Sequence, residues 1–337
     1  MAEFFCVYSG KKWPESERST EHIVPYGIGG SDGLVINDVA TKPNNDVGSF
    51  VDGLLMGNWL VAGYRWNYKI KSQKGNIPPV VFVGTVELNG KAVPATYSIA
   101  ADGKLSLELR PDVKSDWDGR KIEVTCDPRD LPTIMRNIEK KAQKKGLKLL
   151  DKDVQIAQGK TVHVAAPEMQ AVLSMNVFDL VPCFIKMAVG VGHKTLGYSW
   201  SMTRMADQLR LALGERNLNS LARHPIHGQV WPSMRSSMKD VMFVGANRHV
   251  LMVLNANPLS FYGLLFGEFE GCIQLSDGVW PDRIAAGEGI VFVIDHGTRG
   301  CSEYRFAEFV AHRQAGAFLP HVAPFAASRK GNTRGHR

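Results

Sequence analysis

Five polar residues near the N-terminus have types and a spacing that could support hydrolysis of a phosphodiester: Glu21, His22, Asn37, Asn44 and Asn45. A neutral imidazole can take a proton from water near pH 7, and carboxylate and amide oxygens are ligands for Mg²⁺. Such an ion would polarise the phosphoryl oxygen and stabilise the leaving alkoxide. The simpler interpretation is that His22 ends a strand and that the asparagines form turns, which is their common role.

The sequence around these residues predicts a strand, a glycine-rich loop, a second strand, a turn and a helix. Residues 20–24 and 34–40 can form short strands on either side of the loop YGIGGSDG. The sequence TKPN at 41–44 is typical of a turn, and apolar residues recur at helical spacing from Val47 onward. Side chains alternate along a strand, so Glu21 and its neighbour His22 are expected on opposite faces, with the helix completing the site.

The segment EHIVPYGIGGSDGLVINDVATKPNNDVGSFVDGLL at 21–55, with CVYSG upstream, resembles the HNH endonuclease family. The resemblance is to the subgroup with a CxxC knuckle, an EHIIP sequence with a GG loop, a CxxCN knuckle, and a helix containing Gly and Asp. The positions of this pattern fall on His22, Asn37, Asn44, Gly48 and Asp52. The match covers about 50 of the 337 residues.

This resemblance implies a ββα-metal fold with one catalytic divalent ion, Mg²⁺ or Mn²⁺. His22 would be the general base that activates water, and Asn37 would brace the loop and help to orient His22. Glu21 and Asn44 would be ligands of the ion, with Asn45 as the alternative to Asn44 if the turn is shifted by one residue.

The chain departs from the family at the structural zinc. The four cysteine positions of the two knuckles are occupied by Cys6, Ser9, Ala40 and Pro43. One thiol of four cannot hold tetrahedral zinc, so no structural zinc is expected. In its place we expect apolar packing of Tyr8, Trp13, Val39, Ala40 and Pro43 against the helix, aided by the rest of the chain.

The fold class predicted for the whole chain is α+β. An HNH unit at 1–60 would be followed by a larger mixed domain at 61–325 and a basic flexible tail at 326–337. Antiparallel strands are expected in the larger domain because Asn89-Gly90 and Asp102-Gly103 favour hairpin turns. The HNH resemblance implies no activity for this domain, whose role could be DNA binding, ligand sensing or docking of a protein partner.

Residues 129–146 (RDLPTIMRNIEKKAQKKG) predict an amphipathic helix with Asp130 as its N-cap. Its basic face consists of Lys140, Lys141, Lys144 and Lys145. That face is either an ordinary solvated surface or a contact for the phosphates of nucleic acid.

The bulk composition is that of a globular protein with a basic balance. The net charge is +7 and the isoelectric point about 9.1, which is compatible with DNA as a partner. No run is apolar enough for a membrane span. The five cysteines are scattered, which predicts a reducing, cytoplasmic environment without disulfides.

Three other sequence features are weaker indications of function. His224 and His227 form an HxxH pair interrupted by Pro225, which disfavours metal binding. Cys183 lies in an apolar run and is interpreted as a structural thiol. Lys186 in the same run is interpreted as a lysine that extends its amine to solvent, with a phosphate contact as the alternative.

The sequence is therefore compatible with two functions. One is a metal-dependent HNH endonuclease or nickase acting on DNA, a class compatible with phage defence or mobile-element biology. The other is an inactive nucleic-acid-binding or regulatory subunit on a degenerate HNH frame. The lost cysteines favour the second, and the retained Glu21, His22, Asn37 and Asn44 favour the first.

Overall fold

The structure, a computed structural model, describes residues 2–88, 91–116, 121–126, 129–147, 169–170, 177–215, 228–232, 237–278, 280 and 283–318. Its contacts divide the chain into two units. Residues 1–55 and 176–337 form the main unit, and residues 56–175 form the inserted unit. The first division is close to the predicted boundary at residue 60, but the first 55 residues belong with the C-terminal part of the chain.

The predicted α+β class is confirmed, since helices accompany antiparallel sheets. The helices are α1 Thr41–Gly57, α2 Trp59–Asn67, α3 Leu131–Lys144, α4 Val181–Ser201, α5 Arg204–Gly214, α6 Ser237–Met242 and α7 Phe306–Gln314. The strands are β1 Glu3–Cys6, β2 Lys11–Pro14, β3 Arg18–His22, β4 Val35–Ala40, β5 Val80–Leu88, β6 Lys91–Ile99, β7 Leu105–Leu109, β8 Asp112–Asp116, β9 Lys121–Thr125, β10 Met169–Gln170, β11 Gly228–Pro232, β12 Arg248–Leu254, β13 Ser260–Leu265, β14 Phe269–Gln274, β15 Gly289–Asp295 and β16 Cys301–Arg305.

The N-terminal part of the main unit consists of two antiparallel hairpins, β1–β2 and β3–β4, followed by α1. The predicted turn at 41–44 is wrong, because α1 begins at Thr41 directly after β4. Pro43 is tolerated there because the N–H groups of the first helical turn have no partner within the helix. Asn44 and Asn45 therefore lie in the first turn of α1.

A six-stranded antiparallel sheet forms the centre of the main unit, with the strand order β11-β14-β13-β12-β15-β16. The sequence predicts β12 to β15 from their apolar runs. It also predicts a strand at 240–246, which is wrong because Ser237–Met242 forms α6. One face of the sheet packs with α6 and α7 in a core of Met242, Val244, Val250, Met252, Leu264, Val291, Val293, Phe309 and Phe318.

Helix α4 covers the other face of the sheet and is buried on nearly all sides. Its Phe184 ring lies against β13 and β14, where a Cβ on Gly271 would come within 2.3 Å of the ring. The opposite side of α4 contacts the hairpin β3–β4, called the N-terminal hairpin below. A Cβ on Gly190 would lie 3.0 Å from the side chain of Ile23, which follows β3. An apolar helix without a polar face is expected to be buried in this way.

The inserted unit contains α2, the sheet β10-β5-β6-β7, the hairpin β8–β9 and α3. A small core of Val86, Val93 and Ala95 fills one face of the sheet. In α3, Ile134, Ile138 and Ala142 are buried while the four lysines of its predicted basic face are exposed. Asp130 lies at the predicted N-cap position, but its side chain makes no capping hydrogen bond.

Several predictions fall outside the described residues: the turn at Asn89-Gly90, the HxxH pair His224 and His227, and the basic tail. Among the helices of the described residues, none is long and apolar enough to cross a membrane. The five cysteines, all of them described, form no disulfide.

The glycine-rich loop between β3 and β4 generates a test of the fold. A Cβ on Gly30 would lie 1.9 Å from the carbonyl oxygen of Val24, a contact that side-chain rotation cannot relieve. We predict that Gly30→Ala lowers the free energy of unfolding by at least about 2 kcal/mol, measured by urea denaturation.

Gly53→Ala is the matched control for this substitution. Gly53 lies on the exposed side of α1, and no atom lies within 4 Å of the position that its Cβ would take, so alanine should stabilise the helix by about 0.5–1 kcal/mol. Wild-type stability in Gly30→Ala would show that the loop does not have this conformation.

Candidate functional site

A β-bulge lies between the strands that carry the predicted site residues. Asn37 and Asp38 of β4 lie opposite the single residue Thr20 of β3. The Thr20 hydroxyl donates a hydrogen bond of 2.9 Å to Oδ1 of Asn37, which is exposed. Bulges re-aim side chains, and this one precedes the point where Glu21 and His22 take different partners on different sides of the hairpin.

The His22 imidazole is bound by a carboxylate that the sequence did not indicate. Nε2 of His22 lies 2.7 Å from Oδ1 of Asp32, and its ring meets the Tyr26 ring edge-on at 5.3 Å. Because an ionised carboxylate only accepts hydrogen bonds, Nε2 carries the proton and Nδ1 is the nitrogen that can accept one. The side chains of His22 and Asp32 are 22% and 82% exposed, so the pair is accessible to water.

The loop that carries Tyr26 and Asp32 is held by a residue near the C-terminus. Nη1 of Arg299 donates to the carbonyl oxygens of Tyr26 at 3.1 Å and Gly30 at 3.0 Å. The guanidinium also lies 3.6 Å from the centre of the Tyr26 ring, a cation–π contact. Arg299 therefore fixes the loop beside His22.

A buried histidine supports the same loop from beneath. Nε2 of His249 donates to the carbonyl oxygen of Ile28 at 2.8 Å, and Nδ1 accepts the backbone N–H of Phe266 at 3.2 Å. Burial lowers the pKa of His249 to about 4, although the bond to Ile28 opposes this shift. The His296 ring lies tilted against it, with the ring centres 3.9 Å apart, and burial together with His249 holds the pKa of His296 well below its usual range. Both imidazoles are therefore neutral at pH 7.

Glu21 faces the opposite side of the hairpin and pairs with Lys186 of α4. Nζ of Lys186 contacts Oε1 of Glu21 directly and lies 3.5 Å from Oδ1 of Asp52 in α1. The Lys186 side chain is 1% exposed, so the interpretation of a lysine reaching solvent is wrong. Here α4 is covered by the central sheet on one side and by the hairpin on the other, so the Lys186 amine cannot reach bulk water. A buried charge requires a partner, and Glu21 and Asp52 provide it.

Lys186 is buried and Glu21 is largely buried in this cluster, whereas the Asp52 side chain is 44% exposed. Burial alone lowers the pKa of Lys186, but Glu21 and Asp52 outweigh burial and the pKa is raised, so the side chain is an ammonium. Burial, followed by the charges of Glu21 and Asp52, raises the pKa of Tyr8. Burial also raises the pKa of Cys183 to about 12, which agrees with a structural thiol.

A third contact joins α4 to β4 at Asp38. His193 lies between Oδ2 of Asp38, 3.1 Å from Nε2, and Oγ of Ser201, 2.8 Å from Nδ1. Arg18 pairs with the other carboxylate oxygen of Asp38. The order Ser–His–Asp is that of a hydrolytic triad, but Ser201 is fully buried and cannot present its hydroxyl to a substrate. These residues attach the hairpin to α4.

Hydrogen bonds and apolar packing surround the four positions that were compared with the knuckle cysteines. Sγ of Cys6 accepts the backbone N–H of Ala40 at 3.3 Å, and Oγ of Ser9 accepts Nε1–H of Trp13 at 2.9 Å. Of the residues expected to pack there, Tyr8, Val39 and Ala40 are buried, whereas Trp13 and Pro43 are half-buried.

Side-chain hydrogen bonds do not join any two of the five predicted site residues in the described part of the chain. Nδ2 of Asn44 donates to Oγ of Ser19 at 3.3 Å, and Asn45 is exposed on α1. The described residues contain no group of three or more His, Cys, Asp or Glu side chains placed to hold a metal ion. Glu21, the one carboxylate of the predicted ligand set, is paired with an ammonium, so the set as placed does not fit a divalent ion.

The sequence contained partial signals for the residues that were missed. Lys186 is the only charged residue in the buried run from Val181 to Val191, and a lone charge in such a run indicates a buried pair. Asp52 matched the HNH pattern without an assigned role. Asp32 follows the GG loop, where only the folded hairpin reveals its proximity to His22.

Comparisons of the chain with protein-family models, curated proteins and solved structures give no match. Membership of the HNH family therefore stays a prediction that rests on residues 21–55.

The histidine beneath the loop generates a prediction of pH dependence. The pKa of His249 is about 4 in the folded chain against 6.5 for an ordinary histidine, so the unfolded chain binds more protons between these values. The contribution of His249 to the free energy of unfolding is fully present above about pH 6.5. It is lost as the pH falls towards 4, by on the order of 3 kcal/mol.

We predict that His249→Gln reduces this acid loss, because a glutamine can still donate to Ile28 and accept from Phe266 but does not titrate. Urea unfolding at about pH 7 and pH 5 measures the effect. His312→Gln is the control, since His312 is exposed on α7 and should leave the pH profile unchanged. An equal acid loss in wild type and His249→Gln would contradict the assignment.

Proposed function

We propose that the main unit is an HNH-type endonuclease or nickase that hydrolyses phosphodiester bonds of DNA, with His22 as the general base. The observation that carries this proposal is the 2.7 Å contact between His22 and Asp32 at a water-accessible edge of the hairpin. Asp32 fixes the tautomer of the imidazole, which leaves Nδ1 to take the proton of an attacking water.

The surroundings of His22 suit an anionic substrate. Nζ of Lys194 is exposed and donates at 3.4 Å to the carbonyl oxygen of Val35, the residue opposite His22 in the hairpin. Arg299 lies over the Tyr26 ring, which itself is 5.3 Å from the His22 ring. Two cations beside the base would attract a phosphate and oppose the negative charge that develops during hydrolysis.

The charge of the whole chain supports DNA as the substrate. The net charge of +7 favours a polyanion, and Lys140, Lys141, Lys144 and Lys145 of α3 are exposed. Contacts with phosphates would make the affinity fall steeply with salt concentration. One His22 site would cut one strand, so nicking is the primary expected product.

An inactive DNA-binding or regulatory subunit is the second candidate. The observation that favours it is the pairing of Glu21 with Lys186, which occupies the carboxylate expected to bind the catalytic ion. Such a protein would bind DNA in a salt-dependent way without cutting it.

Nicking of supercoiled plasmid by the full-length chain, with Mg²⁺, with Mn²⁺ and with a chelator, separates the two candidates. We predict that the wild type nicks under at least one of these conditions and that His22→Ala lowers the rate by about 10²-fold or more, the usual contribution of a general base. Asp32→Asn should lower turnover by a smaller factor without weakening DNA binding, because Asp32 only positions His22.

His312→Ala is the matched control, a substitution of an exposed histidine on α7, and it should retain wild-type activity. Full activity of His22→Ala would contradict the role of His22. Binding of DNA without cleavage under every condition would favour the inactive subunit.

A further inference from the structure

We infer that Glu21, Asp52 and Tyr8 form a cation site whose permanent occupant is the ammonium group of Lys186. This site therefore does not take a divalent metal ion in the wild-type chain. Glu21 is the neighbour of His22, the proposed general base, in β3. The inference does not depend on nuclease activity, because ion binding can be measured whether or not the chain cuts DNA.

The first observation is the pair of carboxylates on a single buried cation. Lys186 contacts Glu21 and lies 3.5 Å from Asp52, and these carboxylates come from β3 and α1 while the amine comes from α4. The side chains of Lys186 and Glu21 are 1% and 15% exposed. Elements distant in sequence thus converge on one point with the geometry of a cation and its ligands.

The second observation is the Tyr8 hydroxyl. Tyr8 is 4% exposed, and its hydroxyl has no hydrogen-bond partner in the described part of the chain. It lies within the electrostatic field of Glu21 and Asp52. Leaving a buried hydroxyl unpaired is costly, so this hydroxyl is a polar group near the carboxylates that Lys186 does not satisfy. The hard ligands that divalent ions prefer in this cluster are the two carboxylates.

The charges decide which cation occupies the cluster. Two carboxylates carry a charge of −2, and the ammonium of Lys186 neutralises half of it. A divalent ion entering beside that ammonium would meet a like charge within a few ångströms, next to the largely buried Glu21 carboxylate. Removal of the ammonium would leave two carboxylates without a counter-charge, and carboxylates are hard oxygen ligands for a divalent ion.

The test is thermal unfolding of the full-length chain with a chelator and with Mg²⁺, Mn²⁺ or Ca²⁺. We expect the Tm of the wild type to be the same in all of these conditions. We expect Lys186→Met to have a lower Tm in chelator and to gain roughly 5 °C or more with at least one ion. The triple variant Lys186→Met, Glu21→Gln, Asp52→Asn is the control and should fold without responding to any ion.

Two results would overturn the inference. One is an ion-dependent rise in the wild-type Tm that Glu21→Gln abolishes, because Lys186 would then give way to a metal. The other is a folded Lys186→Met whose Tm responds to none of the three ions. If Lys186→Met is unfolded in chelator, refolding on addition of an ion supports the site. If neither Lys186→Met nor the triple variant folds, calorimetry can measure binding of the same ions to the wild type and to Glu21→Gln. Ion binding by the wild type that Glu21→Gln abolishes would contradict the inference.

Discussion

The buried ammonium of Lys186 is the constraint on which the main unit depends. It lies in the second turn of α4, which packs on the central sheet with one side and on the hairpin β3–β4 with the other. A charge at this depth is tolerated only with partners, and breaking one side of such a pair typically costs about 3–5 kcal/mol. Glu21 and Asp52 provide these partners, so the hairpin and α1 are tied to α4 by electrostatics as well as by apolar packing.

This attachment explains how the hairpin holds its shape with one knuckle cysteine of four. Arg299 binds the carbonyl groups of the glycine-rich loop, His249 supports the loop from beneath, and His193 joins Asp38 to α4. Each of these residues comes from the C-terminal part of the main unit. Contacts from outside the hairpin thus hold it in place, and they leave His22 and Asp32 at the surface.

The sequence predicts local elements well where one signal dominates. The glycine loop, the apolar runs of β12 and β15, and the buried helix α4 all follow from periodicity and turn residues. At 41–44 the turn propensity of TKPN was misleading because a proline fits the first turn of a helix, and at 240–246 an apolar run forms part of a helix instead of a strand. The site itself depends on pairs that local patterns cannot reveal. Asp52 and Lys186 are separated by 134 residues, and Tyr26 and Arg299 by 273.

Hydrogen exchange of backbone amides tests most directly whether the hairpin is part of the main unit. The amide of Ile23 is bonded to Leu34 in the hairpin, and the amides of β12 are bonded to β15 in the central sheet. If α4 and its ion pair hold the hairpin, both sets of amides should exchange with the same free energy of opening, that of global unfolding. Exchange of the hairpin amides at a free energy several kcal/mol lower than the sheet amides would contradict this account, because the hairpin would then open independently.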